Sequence, residues 1–196
     1  MLVTAQNTAS LSLSERLRSE TDAEHRSLEA GLGFDLHAPN MDQALAMLRG
    51  FYGVLRDLEP PMLALAPPAL QDRAKLPILT QDLRTLGMSD ADLAALPGPA
   101  NAWRPVTQAE AMGALYVMEG STLGGKLIIK ALRRLPDWPL ETPTYFDPYG
   151  GETGIRWNTF RQYLDAMPPQ DGDAVIDAAK RTFSLLELWM VAETQA

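Results

Sequence analysis

The chain has 196 residues, no cysteine and only two histidines, and its 25 acidic against 17 basic side chains leave a formal charge of −8 with a sequence pI near 4.7. That length suits one domain whose core needs no covalent staple; disulfides and thiolate metal sites are excluded, and the acidity argues against nucleic acid or an anionic membrane as partner. No stretch approaches the ~18 apolar residues of a membrane span, and the opening MLVTAQNTASLSLSERL lacks the basic-then-apolar pattern of an export signal, so a cytoplasmic protein is expected.

Apolar residues recur at helical spacing along almost the whole chain and nowhere sustain a period of two, which predicts an all-α fold. Residues 1–11 are expected to form a disordered tail and 12–196 the domain. Leu13, Leu17, Thr21, His25, Leu28 and Leu32 share one face of a first helix, capped by Ser12 or Ser14 and ended at Gly31 or Gly33. Asn40, with Gln43 three residues on, opens a second helix through Leu45, Leu48, Tyr52 and Leu55, which Pro60 and Pro61 kink or stop. Beyond Pro67 and Pro68, Leu76, Leu79, Leu83 and Leu86 line a helix that exits at Gly87, and Ser89 caps a short turn ending at Pro97. The breaker-rich PGPANAWRP, residues 97–105, leads to Thr107 and Glu110, the capping box of a long helix closed by Pro136. Residues 136–154 are rich in proline and glycine but hold Trp138, Tyr145, Phe146 and Tyr149, which argues for an ordered loop. Helices over 155–166 and 173–194 follow, the last capped by Asp173.

Inside the long helix, YVMEGSTLGGKLIIKAL over 116–132 carries glycines at 120, 124 and 125. Each interior glycine costs roughly 1 kcal/mol against alanine, so the segment gives up about 3 kcal/mol. Small residues at i and i+4 let another helix approach closely. Alternatively, bare backbone at Gly120, Gly124 and Gly125 opens one side of the helix to a flat ligand. His25 is equally two-sided. An imidazole on an apolar stripe is commonly a satisfied core residue, but Glu29 one turn later is placed to orient it as a metal ligand requires. His37, in DLHAPN, reads as an exposed loop residue. No E-x-x-H pair for a dinuclear iron site is present, P-loop, dinucleotide and zinc-protease signatures are absent, and Ser121 has no triad context.

Together these features resemble the heme oxygenase family. LSERLRSETDAEHRSLEAGLGF is similar to that family's proximal helix, whose T-x-x-x-H-x-x-x-E run is matched by Thr21, His25 and Glu29. LYVMEGSTLGGKLI is similar to the distal helix of the bacterial branch, with G-S-x-L-G at Gly120, Ser121, Leu123 and Gly124. Further likeness lies in GFYGVLRDLEPPM, in LTQDLRTLG around Asp82 and Leu83, and in AAKRTFSLLELW, so the resemblance spans roughly residues 12–190.

The resemblance implies a single all-α, heme oxygenase-like domain that holds heme, both cofactor and substrate, between the two helices. It implies oxidation of that heme by O2 to biliverdin, carbon monoxide and ferrous iron, with electrons from a ferredoxin, flavodoxin or similar reductase. Carried over residue by residue, His25 is the axial ligand of the iron, with Thr21 and Glu29 beside it. Arg18, Tyr116 and Arg161 are expected to meet the propionates. Gly120, Ser121, Gly124 and Gly125 are expected to form the catalytic face, where backbone and water rather than bulky side chains approach the iron. Mammalian relatives carry an aspartate where Ser121 stands; bacterial members commonly lack it, which leaves the proton relay to other groups. Arg16, Arg18, Lys126, Lys130, Arg133 and Arg134 are expected to gather near the heme edge and suit an acidic electron donor. The product would go to iron acquisition or to a bilin-binding photoreceptor such as a bacteriophytochrome. The competing expectations are a heme carrier or sensor that ligates through His25 without turnover, and a bundle whose glycines serve packing alone.

Overall fold

Ser12 starts the first helix of a computed structural model that describes residues 11–100, 102–142 and 144–194. Its hydroxyl accepts the Glu15 amide while the Glu15 carboxylate accepts the Ser12 amide, so two orphan donors are satisfied reciprocally. Ser14, the other candidate cap, instead binds Asp165 through its amide (2.8 Å) and hydroxyl (3.1 Å). The expected tail falls, apart from Leu11, outside the described residues.

The apolar stripe from Leu13 to Leu32 is divided between two helices, α1 (Leu13–Glu20) and α2 (Asp22–Leu32), where one was expected. The break is Thr21, at φ −114° and ψ 8°, whose hydroxyl donates to the Leu17 carbonyl at 2.7 Å. Such back-bonding bends a helix by competing for the carbonyl that the next turn would use. Gly33, at φ 57°, ends α2 in the left-handed conformation that glycine adopts without a Cβ penalty.

Asn40 caps α3 (Met41–Leu65), accepting the Asp42 amide at 2.7 Å. Of the two outcomes expected for Pro60 and Pro61, a kink or a stop, the stop is excluded, since α3 continues through both to Leu65. Leu58, Glu59 and Met62 around them are buried, and that packing outweighs the two backbone bonds the prolines remove. There follow α4 (Leu76–Thr85), α5 (Asp90–Ala95), whose capping box pairs Ser89 with Asp92, and α6 (Gln108–Leu132), which Thr107 caps and which runs unbroken through Gly120, Gly124 and Gly125. The loop that follows is ordered around a tight turn bridging Thr144 and Asp147, and leads to α7 (Thr153–Asp165) and α8 (Gly172–Thr194). Asp173 lies within the first turn of α8 rather than before it, and pairs with Arg16 at 2.8 Å.

The molecule is built on α8. The widest interface is with α6, where Gly113 lets the backbones meet: a Cβ there would collide with the Val175 carbonyl. On other sides α8 carries α2 and α3, while α3 also packs on α6 and α4. Leu48, Leu55, Met112, Leu115, Met118, Ala179 and Leu186 fill the space between. Both α2 and α6 lean on α8 and make at most slight contact with each other. No helix among the described residues is long and apolar enough to cross a membrane.

Candidate functional site

One candidate wall of a binding site is α2. His25 is not a core residue: its side chain is 53% exposed, with its ring edge-on to Phe183 of α8 at 5.8 Å. Its Nδ1 faces the Glu29 carboxylate at 3.6 Å, slightly beyond hydrogen-bonding distance, so Nε2 is the nitrogen left for a ligand. His37 is an exposed loop residue, its amide donating to Asp35 at 2.7 Å.

The other wall is α6. Gly120 and Gly124, four residues apart, lie on one face together with Leu123 and Leu127, which are 42% and 57% exposed. A Cβ at Gly124 would meet nothing within 4 Å, and one at Gly120 would reach only the Trp157 ring at 3.9 Å. Bare backbone flanked by uncovered leucines is a surface for a flat apolar ring, and exposing it to water costs hydrophobic free energy that such a ring would recover. Gly125 is different, and the expectation that all three glycines open one side of the helix is corrected. It is buried, and a Cβ there would collide with the Phe146 carbonyl oxygen, so this glycine admits a loop backbone. One residue along a helix is 100° of rotation, which separates Gly125 from Gly124. Ser121 is half-buried, with its hydroxyl donated to the Met118 carbonyl of its own helix at 2.9 Å.

The two glycines therefore give opposite results with the same substitution. Gly125→Ala is expected to destabilise the fold by about 1 to 3 kcal/mol through overpacking. Gly124→Ala is expected to stabilise the apoprotein by about 0.5 to 1 kcal/mol, as alanine does in an exposed helix. Chemical denaturation of both variants checks the sign.

Contacts join α6 and the residues just after it to the first two helices and the loop behind them at two places. At one end the Tyr116 phenol of α6 hydrogen-bonds Thr21 at the α1–α2 break, with the Arg18 and Arg161 charges acting on the same phenol. Burial raises the Tyr116 pKa against those three influences. The three residues expected to meet the propionates, Arg18, Tyr116 and Arg161, thus lie near one another and beside Thr21. At the other end Arg134 donates to the Leu36 carbonyl in the loop after α2. The expected basic patch is partly dispersed: Arg16 is tied to Glu20 and Asp173, and Arg133 to Thr142.

Behind the glycine wall lies a buried polar cluster that the sequence reading missed. Glu119, one residue before Gly120 and 1% exposed, accepts from Arg73, from Lys75 and from the Tyr149 hydroxyl (2.8 Å). Burial pushes its pKa up, but the Lys75 and Arg73 charges prevail and hold it below the usual carboxylate range. Arg73 also donates to the Arg156 carbonyl at 3.1 Å, next to Trp157, which flanks Gly120. Glu59 accepts the Lys75 and Leu76 amides at 2.7 and 3.0 Å and so caps α4. Its pKa is raised by burial, which these bonds only partly offset. A lone glutamate inside the apolar run ALYVMEGSTLGG was the available signal, since a buried charge implies buried partners.

Asp82 on α4, 4% exposed, accepts the Tyr145 amide at 2.7 Å and a bond from the Thr144 hydroxyl. Burial lifts its pKa to about 6 from 3.8 despite those bonds. A carboxyl with a raised folded-state pKa gives its full stability below the unfolded value and loses it as pH rises through the folded one, so the window is roughly pH 4 to 6. Asp82→Asn removes that titration. Thermal unfolding is expected to show the parent gaining about 2 to 3 kcal/mol relative to this variant between pH 7.5 and pH 4.

Comparisons with known proteins identify the family and the fold. The family model described as heme oxygenase matches residues 11–192. A heme oxygenase of Xanthomonas campestris is 33% identical over 131 residues, 67% of this chain and 73% of that protein. The crystal structures of the NO- and CO-bound heme oxygenase from Neisseria meningitidis share the fold, with a TM-score of 0.70 at 20% identity over 95% of this chain and 94% of that one. With a family match over nearly its whole length, the chain belongs to the heme oxygenase family.

Proposed function

We propose that this heme-degrading oxygenase holds its heme between α2 and α6, with His25 Nε2 bonded to the iron and the Gly120–Gly124 face covering the opposite side of the ring. The observation that carries this reading is the pair of uncovered faces that α2 and α6 present. An exposed imidazole stands on one wall, and the other offers open backbone at Gly124 between two uncovered leucines.

Bound heme supplies the iron at which O2 is reduced and the ring that is opened to biliverdin, carbon monoxide and ferrous iron, with electrons from a ferredoxin, flavodoxin or other reductase. The chain's own residues do the rest. Glu29, whose carboxylate faces Nδ1 at 3.6 Å, would orient His25 and make Nε2 a better donor once the two close to hydrogen-bonding distance. Phe183 blocks one edge of the imidazole and limits its rotation. Arg18, Arg161 and Tyr116 would hold the propionates, and charge-assisted contacts from the two guanidiniums at that end would fix the orientation of the ring, while Thr21, its proton committed to the Leu17 carbonyl, stands beside Tyr116. Gly120 and Gly124 bring backbone and ordered water to the reacting side. Ser121, its proton committed to Met118, can accept from such a water through its remaining lone pairs.

The deciding experiment adds hemin to the purified protein and then reductant in air. Loss of the Soret band with rising bilin absorption is expected. A stable oxygenated complex would mark a carrier instead.

A further inference from the structure

We propose that Asp82 is a positioning residue for the glycine wall of the cleft: from α4 it holds the turn at 144–147 against Gly125 and thereby fixes the stretch of α6 that carries Gly124. The proposal deepens the placement of heme along α6 given above and rests on it.

The three consecutive amides of the turn are all committed. Tyr145 donates to Asp82 at 2.7 Å, Phe146 to the Thr144 hydroxyl at 3.2 Å, and Asp147 to the Thr144 carbonyl at 3.0 Å. The Tyr145 ring packs on Phe51 of α3 at 4.8 Å. With its amides held and its aromatic anchored, the turn presents the Phe146 carbonyl to α6 at the one place where a missing side chain admits it. Gly125 rests on that carbonyl, and Gly124, next to it, faces the open cleft. Any shift of the turn therefore moves the backbone that lines the cleft, because packed elements transmit displacement rather than absorb it.

A carboxylate is a costly choice for this purpose. Asp82 is almost fully buried and has no cation beside it; its partners are the Tyr145 amide and the Thr144 hydroxyl. A neutral acceptor would spare the desolvation. A charged one holds the amide more strongly and over a shorter distance, which suits a position whose role is to hold geometry.

The test compares the full-length parent with D82A, D82N and the isosteric T144V. One readout is hydrogen exchange of the apoprotein over residues 122–128; the other is the C–O stretching band of the ferrous carbon monoxide complex, which reports on the surroundings of the iron and not on global stability. D82A is expected to speed exchange in that part of α6 by about tenfold or more and to shift or broaden the band. D82N keeps an acceptor for Tyr145 and is expected to bring both back toward the parent. T144V, which loses its bonds to Asp82 and to the Phe146 amide, is expected to show the same changes at smaller size. Parent-like exchange and an unmoved band in D82A, or in T144V should D82A fail to fold, would overturn the proposal. If the parent takes up no heme, the cleft assignment falls while the exchange result still decides whether Asp82 holds α6.

Discussion

His25→Ala is expected to lower heme turnover by more than about a hundredfold, beyond the 10- to 100-fold typical of losing a ligand's outer partner. The fold should survive, since the side chain is half-exposed and its one ring contact is the edge of Phe183. Glu29→Gln, which leaves the imidazole but weakens its orientation, is expected to fall within that 10- to 100-fold range. Exogenous imidazole should restore heme ligation to His25→Ala, because the cleft then has space for a free ring, and it should do nothing for Glu29→Gln. Steady-state bilin formation with and without imidazole separates the three cases. Undiminished turnover in the alanine variant would remove His25 from the iron.

Glu119→Ala is expected to produce the largest loss of stability, about 3 to 5 kcal/mol, because it strands Arg73 and Lys75 as buried cations. Against the roughly 5 to 15 kcal/mol that holds a domain together, that is enough to reduce the yield of folded protein. Most of the cost is the penalty of the unpaired charges rather than the worth of the ion pairs. A variant that replaces Glu119, Arg73 and Lys75 together by apolar residues of similar volume should therefore recover much of the stability. Denaturant titration of the single and triple variants checks this. Equal losses in both would mean that the cluster stabilises by its own attraction. The triple variant also removes the bond from Arg73 to the Arg156 carbonyl beside Trp157, so its heme spectrum should differ from that of the parent even where its stability does not.

The helices were legible wherever apolar periodicity met a cap. Ser12, Asn40 and Thr107 each begin a helix where the sequence places one, and Ser89 caps a six-residue helix where a short turn was expected, because the cap is a local event between a side chain and amides two or three residues on. The errors arose where tertiary packing or a neighbouring hydroxyl overrode the local signal. Thr21 divides a continuous apolar stripe through a bond to Leu17, and α3 passes through Pro60 and Pro61 because buried neighbours hold it. At the candidate site, the spacing of Thr21, His25 and Glu29 and the glycines of α6 were readable as two candidate faces. Which glycine faces the cleft was not, since Gly124 and Gly125 differ only by what lies across from them, and the Phe146 carbonyl is 21 residues away in the chain. The same distance hid Asp82 and Arg73. Their partners, Tyr145 and Glu119, come from segments 63 and 46 residues away, and no local pattern connects them.

The placement of the iron can be measured directly because the chain has only two histidines. Resonance Raman spectra of the ferrous heme complex, with and without nitrogen-15 histidine, report the iron–nitrogen stretch of whichever histidine is bound. An isotope shift in the parent and in His37→Ala, absent in His25→Ala, is the expected result. A shift that persists without His25, or vanishes without His37, would contradict it.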